Sequence, residues 1–223
     1  MKSNLFLRVI IGVFCIFLSY GAQAQYVEET QAKQWVNDKG RELLQTFGET
    51  NIVKKYAALD SMMIDCIDFN YISKFVMGRY WRQMTPEQQN NYQSLFQRYA
   101  LSLYKGFPLD FDSNAINFDI VKIIADEKKT TVRTKINIAN AVPENNSPIS
   151  DIFVEFILHK NNNKIQIIDL KLGESSLILS YRSRFYEMIT QNDDDIEWFL
   201  EDLSDITEAA ERTNQEKLQQ AEY

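Results

Sequence analysis

The hydrophobic period of this chain changes near residue 116, which limits it to folds that join helices to an antiparallel sheet. Upstream, apolar residues recur every three or four positions. Ala32, Trp35, Val36, Leu43, Leu44 and Phe47 make one helical stripe, which Gly48 stops. Ile52, Val53, Tyr56, Met63 and Ile64 predict a second helix. Asp68 caps a short third helix carrying Phe69, Ile72, Phe75 and Val76 and ending at Gly78. Thr85-Pro86-Glu87-Gln88 then supplies a capping hydroxyl, a proline at the first helical position and a glutamine three residues after the cap. Tyr92, Leu95, Phe96, Tyr99 and Leu103 follow as the stripe of that fourth helix, which should end near Gly106 and Pro108.

From Ile116 to Leu172 the period is two, in four strands. Ile116, Phe118 and Ile120 alternate with polar residues, as do Val132, Ile136 and Ile138. Ile152, Val154, Phe156 and Leu158 alternate too, but Phe153 and Ile157 are also apolar, so this strand should be covered on both faces. Asn161-Asn162-Asn163 turns it into the strand 164–172 as a hairpin. That last strand changes phase: Ile165 and Ile167 share one parity, Ile168, Leu170 and Leu172 the other. Either a bulge near Ile167 or a two-sided strand explains this. Two more helices follow, striped by Ile178, Tyr181, Phe185 and Met188, then by Ile196, Phe199, Leu200, Leu203 and Ile206. After Ala210 only Leu218 is strongly apolar, so residues 211–223 are expected to fray, within an acidic tail 207–223.

Residues 1–24 read as a signal peptide. Lys2 and Arg8 give a positive start, the apolar run Val9–Leu18 is too short for a span of about 20 residues, and Ala22-Gln23-Ala24 gives a cleavage site. The remainder reads as one domain, 25–206, followed by the tail. Residues 193–223 hold eleven acidic and two basic residues, whereas residues 25–192 balance. No basic surplus exists to release counterions, which argues against nucleic-acid binding. The mature chain keeps one cysteine, Cys66, set between isoleucines and expected to be buried.

Familiar catalytic chemistry is missing. One histidine, His159, sits among apolar strand residues and reads as a packed side chain. One cysteine and one histidine do not make a zinc cluster, and no glycine cluster forms a phosphate loop. Asp193-Asp194-Asp195 lacks the glycine turn of a calcium loop and reads as loop and helix N-terminal charge. Asp169 is the one candidate acid. It is either a desolvated general base or a carboxylate that faces solvent or accepts backbone hydrogen bonds at a bulge.

Two segments carry a resemblance. Phe69-Asn70-Tyr71-Ile72-Ser73-Lys74-Phe75-Val76-Met77-Gly78-Arg79-Tyr80-Trp81-Arg82, followed by Thr85-Pro86-Glu87-Gln88, resembles the MlaC family of periplasmic phospholipid-binding proteins, also called toluene-tolerance proteins. Ile168-Asp169-Leu170 and Ser180-Tyr181-Arg182-Ser183-Arg184-Phe185 resemble its second signature. The resemblance implies an α+β fold: a curved antiparallel sheet of about four strands, nuclear-transport-factor-2-like, with helices from both ends of the chain and an apolar pocket between. It implies a non-enzymatic periplasmic carrier with no cofactor, whose phospholipid is cargo. The carrier would shuttle between an outer-membrane lipoprotein complex and an inner-membrane transporter of the ATP-binding-cassette type, maintaining outer-membrane lipid asymmetry.

The sheet residues expected to line such a pocket are Phe118, Ile120, Val132 and Ile136, with Ile152, Val154, Phe156 and Leu170. Phe75, Tyr99 and Tyr104 are expected from the helices. Arg79, Arg82 and Arg182 either approach a head group or partner, or stack on Tyr80 and Trp81 or bond carboxylates. The alternatives are a carrier of another lipid such as a hopanoid, an enzyme with Asp169 as base, and an interaction module acting through the acidic tail.

Overall fold

The periodicity becomes six helices in the computed structural model, which describes residues 26–106, 113–138 and 152–221. The expected signal peptide lies outside the described residues. No helix of the described residues is long and apolar enough to cross a membrane. Helix α1 spans Glu29–Phe47, α2 Ile52–Cys66, α3 Phe69–Met77 and α4 Pro86–Gly106. After the strands come α5, Leu177–Gln191, and α6, Ile196–Ala221.

The helix starts follow from local hydrogen bonds. At the start of α4 the capping box closes in both directions: the Gln88 amide donates to Thr85 Oγ1 at 3.2 Å, and the Thr85 amide donates to Gln88 Oε1 at 2.9 Å. Asn51 and Asp68 cap α2 and α3 by accepting from Lys54 and Tyr71 amides. Asp195 accepts from the Glu197 and Trp198 amides at the start of α6, while Asp193 and Asp194, both at positive φ, form the loop before it.

The sheet is an antiparallel meander in the order β1-β2-β3-β4-β5. Its strands are β1 Ile116–Ala125, β2 Thr130–Ile138, β3 Ile152–Asn161, β4 Lys164–Leu172 and a two-residue β5, Ser175–Ser176, one more than the four expected. Asn162 and Asn163 both have positive φ, as the tight turn between β3 and β4 requires. The phase change in β4 is a bulge. Ile157 pairs with Asp169 and Leu158 with Ile167, leaving Ile168 as the extra residue. Ile165, Ile167, Leu170 and Leu172 thereby share one face. A second bulge, at Val121, interrupts β1 between Ile120 and Lys122. Such bulges bend and twist their strands. The edge of β4 that β5 leaves bare is covered by the α2–α3 junction, where the Asp68 amide donates to the Ile167 carbonyl at 3.0 Å.

Two apolar cores result. The larger is helical: Ile72, Val76 and Met77 of α3 pack with an aromatic cluster of α4, α5 and α6, in which Phe185 meets Tyr92, Phe96 and Phe199 edge to face. The smaller joins Val27, Ala32 and Val36 to Val132 and Leu158 on one sheet face. Strand β3 is covered on both sides, as expected: Leu158 faces α1, and the adjacent Ile157 and His159 are buried on the opposite face.

Residues 211–221, expected to fray, instead extend α6 along α4. Thr207 is fully buried, and the buried Asn214 donates to the Ser102 carbonyl at 2.8 Å. Arg98 grips Glu211 with two hydrogen bonds, at 3.0 and 2.6 Å. The contact stripe therefore continues beyond Leu203 through Thr207 and Asn214, whose polar groups are satisfied within or across helices. Replacing Asn214 by alanine should cost about 1–2 kcal/mol in urea unfolding. Ending the chain at Ile206 should cost more.

Candidate functional site

The β2 and β3 pleats place side chains on the α1 side in matched pairs: Val132 opposite Phe156, Thr134 opposite Val154, and Ile136 opposite Ile152. On β1, Phe118 lies opposite Ile136 and Ile120 opposite Thr134; on β4, Leu170 lies opposite Phe156. The fold thus brings all eight expected sheet residues onto one face.

That face is sealed at one end and open at the other. Where α1 begins, Val132 and Leu158 are 0% exposed, and Thr130 clamps the chain by exchanging hydrogen bonds with the Val27 amide and carbonyl. Toward the other end Ile136, Ile152 and Val154 are half-buried, Ile138 is 43% exposed and Leu172 is 59% exposed. From this end lead the segments 107–112 and 139–151, both outside the described residues. Two shallow depressions flank α1 and share Gln34 and Asp38; Trp35, Lys160, Asn163 and Ile165 also line the first. Both lie off the open half. The apolar space expected between helices and sheet therefore takes the form of an apolar sheet face only half covered by α1.

The helical residues expected to join this face are placed elsewhere. Tyr99 is buried within the aromatic helical core against Tyr181 and Phe185. Its ring belongs to the stripe that joins α4 to the other helices, so core demand claims it. Phe75 lies under the Arg182 guanidinium, 4.0 Å from ring centroid to Cζ. Tyr104 ties α4 to α2 by donating to Asp60, which also pairs with Lys105 at 2.7 Å. Burial and the Asp60 carboxylate push the Tyr104 phenol far above its ordinary value.

Of the three arginines, Arg79 stacks over Tyr80 and Tyr186 at 4.8 and 5.4 Å and donates to the Tyr80 hydroxyl. Arg182 donates to the Phe75 carbonyl near the end of α3. Arg82 is exposed. Stacking of Arg79 on Tyr80 is one of the arrangements expected; the carbonyl bond of Arg182 is not visible in residue spacing.

Asp169 is saturated. It accepts from the Ser176 hydroxyl at 2.7 Å, from the Leu170 amide at 2.8 Å and from the Ile178 amide at 3.2 Å. Beside the β4 bulge, it joins that strand to the start of α5, which is the backbone-bonding alternative of the two read for it. Cys66 is buried, and burial pushes its thiol up to about 11. Among the described residues no group of three His, Cys, Asp or Glu side chains is placed to hold a metal ion.

His159 meets a partner from another layer. Its Nε2 lies 2.9 Å from the Asp68 carboxylate, which also accepts from the Asn161 side chain and the Tyr71 amide. Burial pushes the Asp68 carboxyl up, but hydrogen bonds from His159, Tyr71 and Asn161 outweigh it and hold the group below the ordinary carboxylate value. A carboxyl depressed in the folded state adds stability above its unfolded value, lost as pH falls through the folded value. Stability should therefore decline in acid below about pH 4, and Asp68→Asn should flatten that decline in pH-dependent urea melts. Asp68→Ala should cost on the order of 3 kcal/mol through the lost cap and buried bonds.

Fold and site together define an α+β domain with a half-covered apolar sheet face, and comparison with known proteins places it more narrowly. Residues 41–205 match the MlaC protein family, and the chain belongs to that family. It is 24% identical over 143 residues, 64% of its length, to the toluene tolerance protein ttg2D of Pseudomonas putida. The match spans 62% of that relative's length. Its fold is similar to that of a phospholipid-binding protein from Ralstonia solanacearum, solved in complex with a phospholipid. The TM-score is 0.64 at 19% identity, covering 80% of this chain and 98% of the other.

Proposed function

We propose that the protein is a periplasmic phospholipid carrier and that the acyl chains lie on the open half of the apolar sheet face. The observation that carries this reading is that face: a row of aliphatic side chains, from Ile136 to Leu172, left half-exposed in a member of the MlaC family. A monomer rarely leaves a contiguous apolar surface without a use for it. The phospholipid held by the fold relative from Ralstonia solanacearum supports a phospholipid as the ligand.

The energetics suit a carrier. Two acyl chains hold about 30 methylenes, each worth about 0.8 kcal/mol on leaving water, so a free lipid would need on the order of 24 kcal/mol to cross it. That exceeds the practical ceiling of non-covalent affinity. A carrier need only match the bilayer, where the chains are already dry; partners then set the direction of transfer. In this reading the chain is exported by residues 1–24 and shuttles lipid between an outer-membrane lipoprotein complex and an inner-membrane transporter of the ATP-binding-cassette type. It would thereby sustain outer-membrane lipid asymmetry. Arg82, exposed in the turn after α3, is offered for contact with a head group or a partner.

The test is the denatured extract of protein purified without added lipid, read by mass spectrometry. A stoichiometric diacyl phospholipid is expected; a bare protein that also takes up none from labelled vesicles would sink the reading. A hopanoid in the extract would replace the cargo. Val154→Asp puts a carboxylate on the apolar face and should lower bound lipid by about tenfold or more.

A further inference from the structure

Within the carrier reading, on which this rests, the change on β2 from buried Thr134 to half-buried Ile136 falls beside one contact between the sheet and α1. Phe118 points from β1 toward α1, and its ring tip meets the helix at Gly40. A Cβ on Gly40 would overlap the Phe118 ring. The missing side chain is therefore a notch in α1, and the ring occupies it. In register, Phe118 sits opposite Ile136, the first half-exposed residue of β2 on this face. One pair deeper lie Ile120 and Thr134. Thr134 is fully buried, with its hydroxyl donated to the Val154 carbonyl at 3.0 Å. Beyond them Val132 is sealed under α1.

We infer that Phe118, seated in the Gly40 notch, is the floor on which acyl chains end, and that this contact determines the chain length the protein prefers. The floor is apolar, so it suits a terminal methyl. It is also positioned by a helix backbone rather than by a flexible neighbour, so it resists displacement. Replacing Gly40 by alanine favours the helix and adds a methyl where the ring now sits. The ring must then swing toward the open half, and the space shortens. Shrinking Phe118 opens the way to Ile120 and Thr134, and the space lengthens.

The two substitutions are therefore expected to act in opposite directions. The full chain, wild type and variants, would be equilibrated with vesicles holding equal amounts of diacyl phosphatidylglycerols of graded chain length. The bound species would then be measured by mass spectrometry. Phe118→Ala should shift the bound population to longer chains and Gly40→Ala to shorter ones. Phe118→Leu, which keeps the site apolar, should shift in the direction of alanine and serves if alanine fails to fold; thermal melts check this. Folded variants with the wild-type chain distribution would overturn the inference while leaving the carrier reading intact. So would a folded Phe118→Leu that binds no lipid. A wild type that takes up no phosphatidylglycerol and carries no lipid overturns both.

Discussion

The Asp68 carboxylate is where the helical layer is fastened to the sheet. One oxygen caps α3, the other accepts from His159 and Asn161 at the end of β3, and the Asp68 amide donates to the β4 backbone. A buried carboxylate is costly unless its lone pairs are met, and here each oxygen has a partner. Asp169 repeats the device on the other side of the β4 bulge, bonded to Ser176 and Ile178 at the start of α5. Two acidic residues thus join the layers through directional bonds, which fix how α3 and α5 sit against the sheet. Among the described residues, the helix over the opposite face is α1.

One helix is not wide enough to cover a sheet of this breadth. Helix α1 seals Val132 and Leu158 with Val36 and Ala32, and reaches Phe118 through Gly40. Past that point the aliphatic row is half-buried at Ile136, Ile152 and Val154 and exposed at Ile138 and Leu172. The bulge at Ile168 adds to this surface by turning Leu170 and Leu172 onto the same face as Ile165 and Ile167. Without it, the strand would divide its aliphatic residues between the two sides.

Much of this could be read from residue order, because the forces concerned are local. The Thr85–Gln88 box, the Asp68 cap and the asparagine turn depend on neighbours within four residues. The pairing of β3 with β4 followed from the short gap between them, and the phase change at Ile167–Ile168 already implied one of two devices. Contacts between distant residues were not legible. Asn214 meets Ser102 and Glu211 meets Arg98 across more than a hundred positions. A stripe judged by apolar residues alone ends at Ala210, because the contact face goes on in threonine and asparagine. Tyr99 shows the converse: an aromatic at helical spacing has no mark that separates core from ligand surface. His159 needed Asp68 before its role was visible.

The division into two cores has a thermodynamic consequence. The aromatic cluster of Tyr92, Phe96, Phe185 and Phe199 is assembled entirely by helices and lies behind the sheet, away from the half-open face. Cooperative resistance to unfolding can thus reside in one part of the molecule, and exchange of an apolar guest in another. Motion of α1 over the sheet then draws on the small core of Val132 and Leu158, while the aromatic keel stays intact. Such a protein can loosen its grip without approaching denaturation.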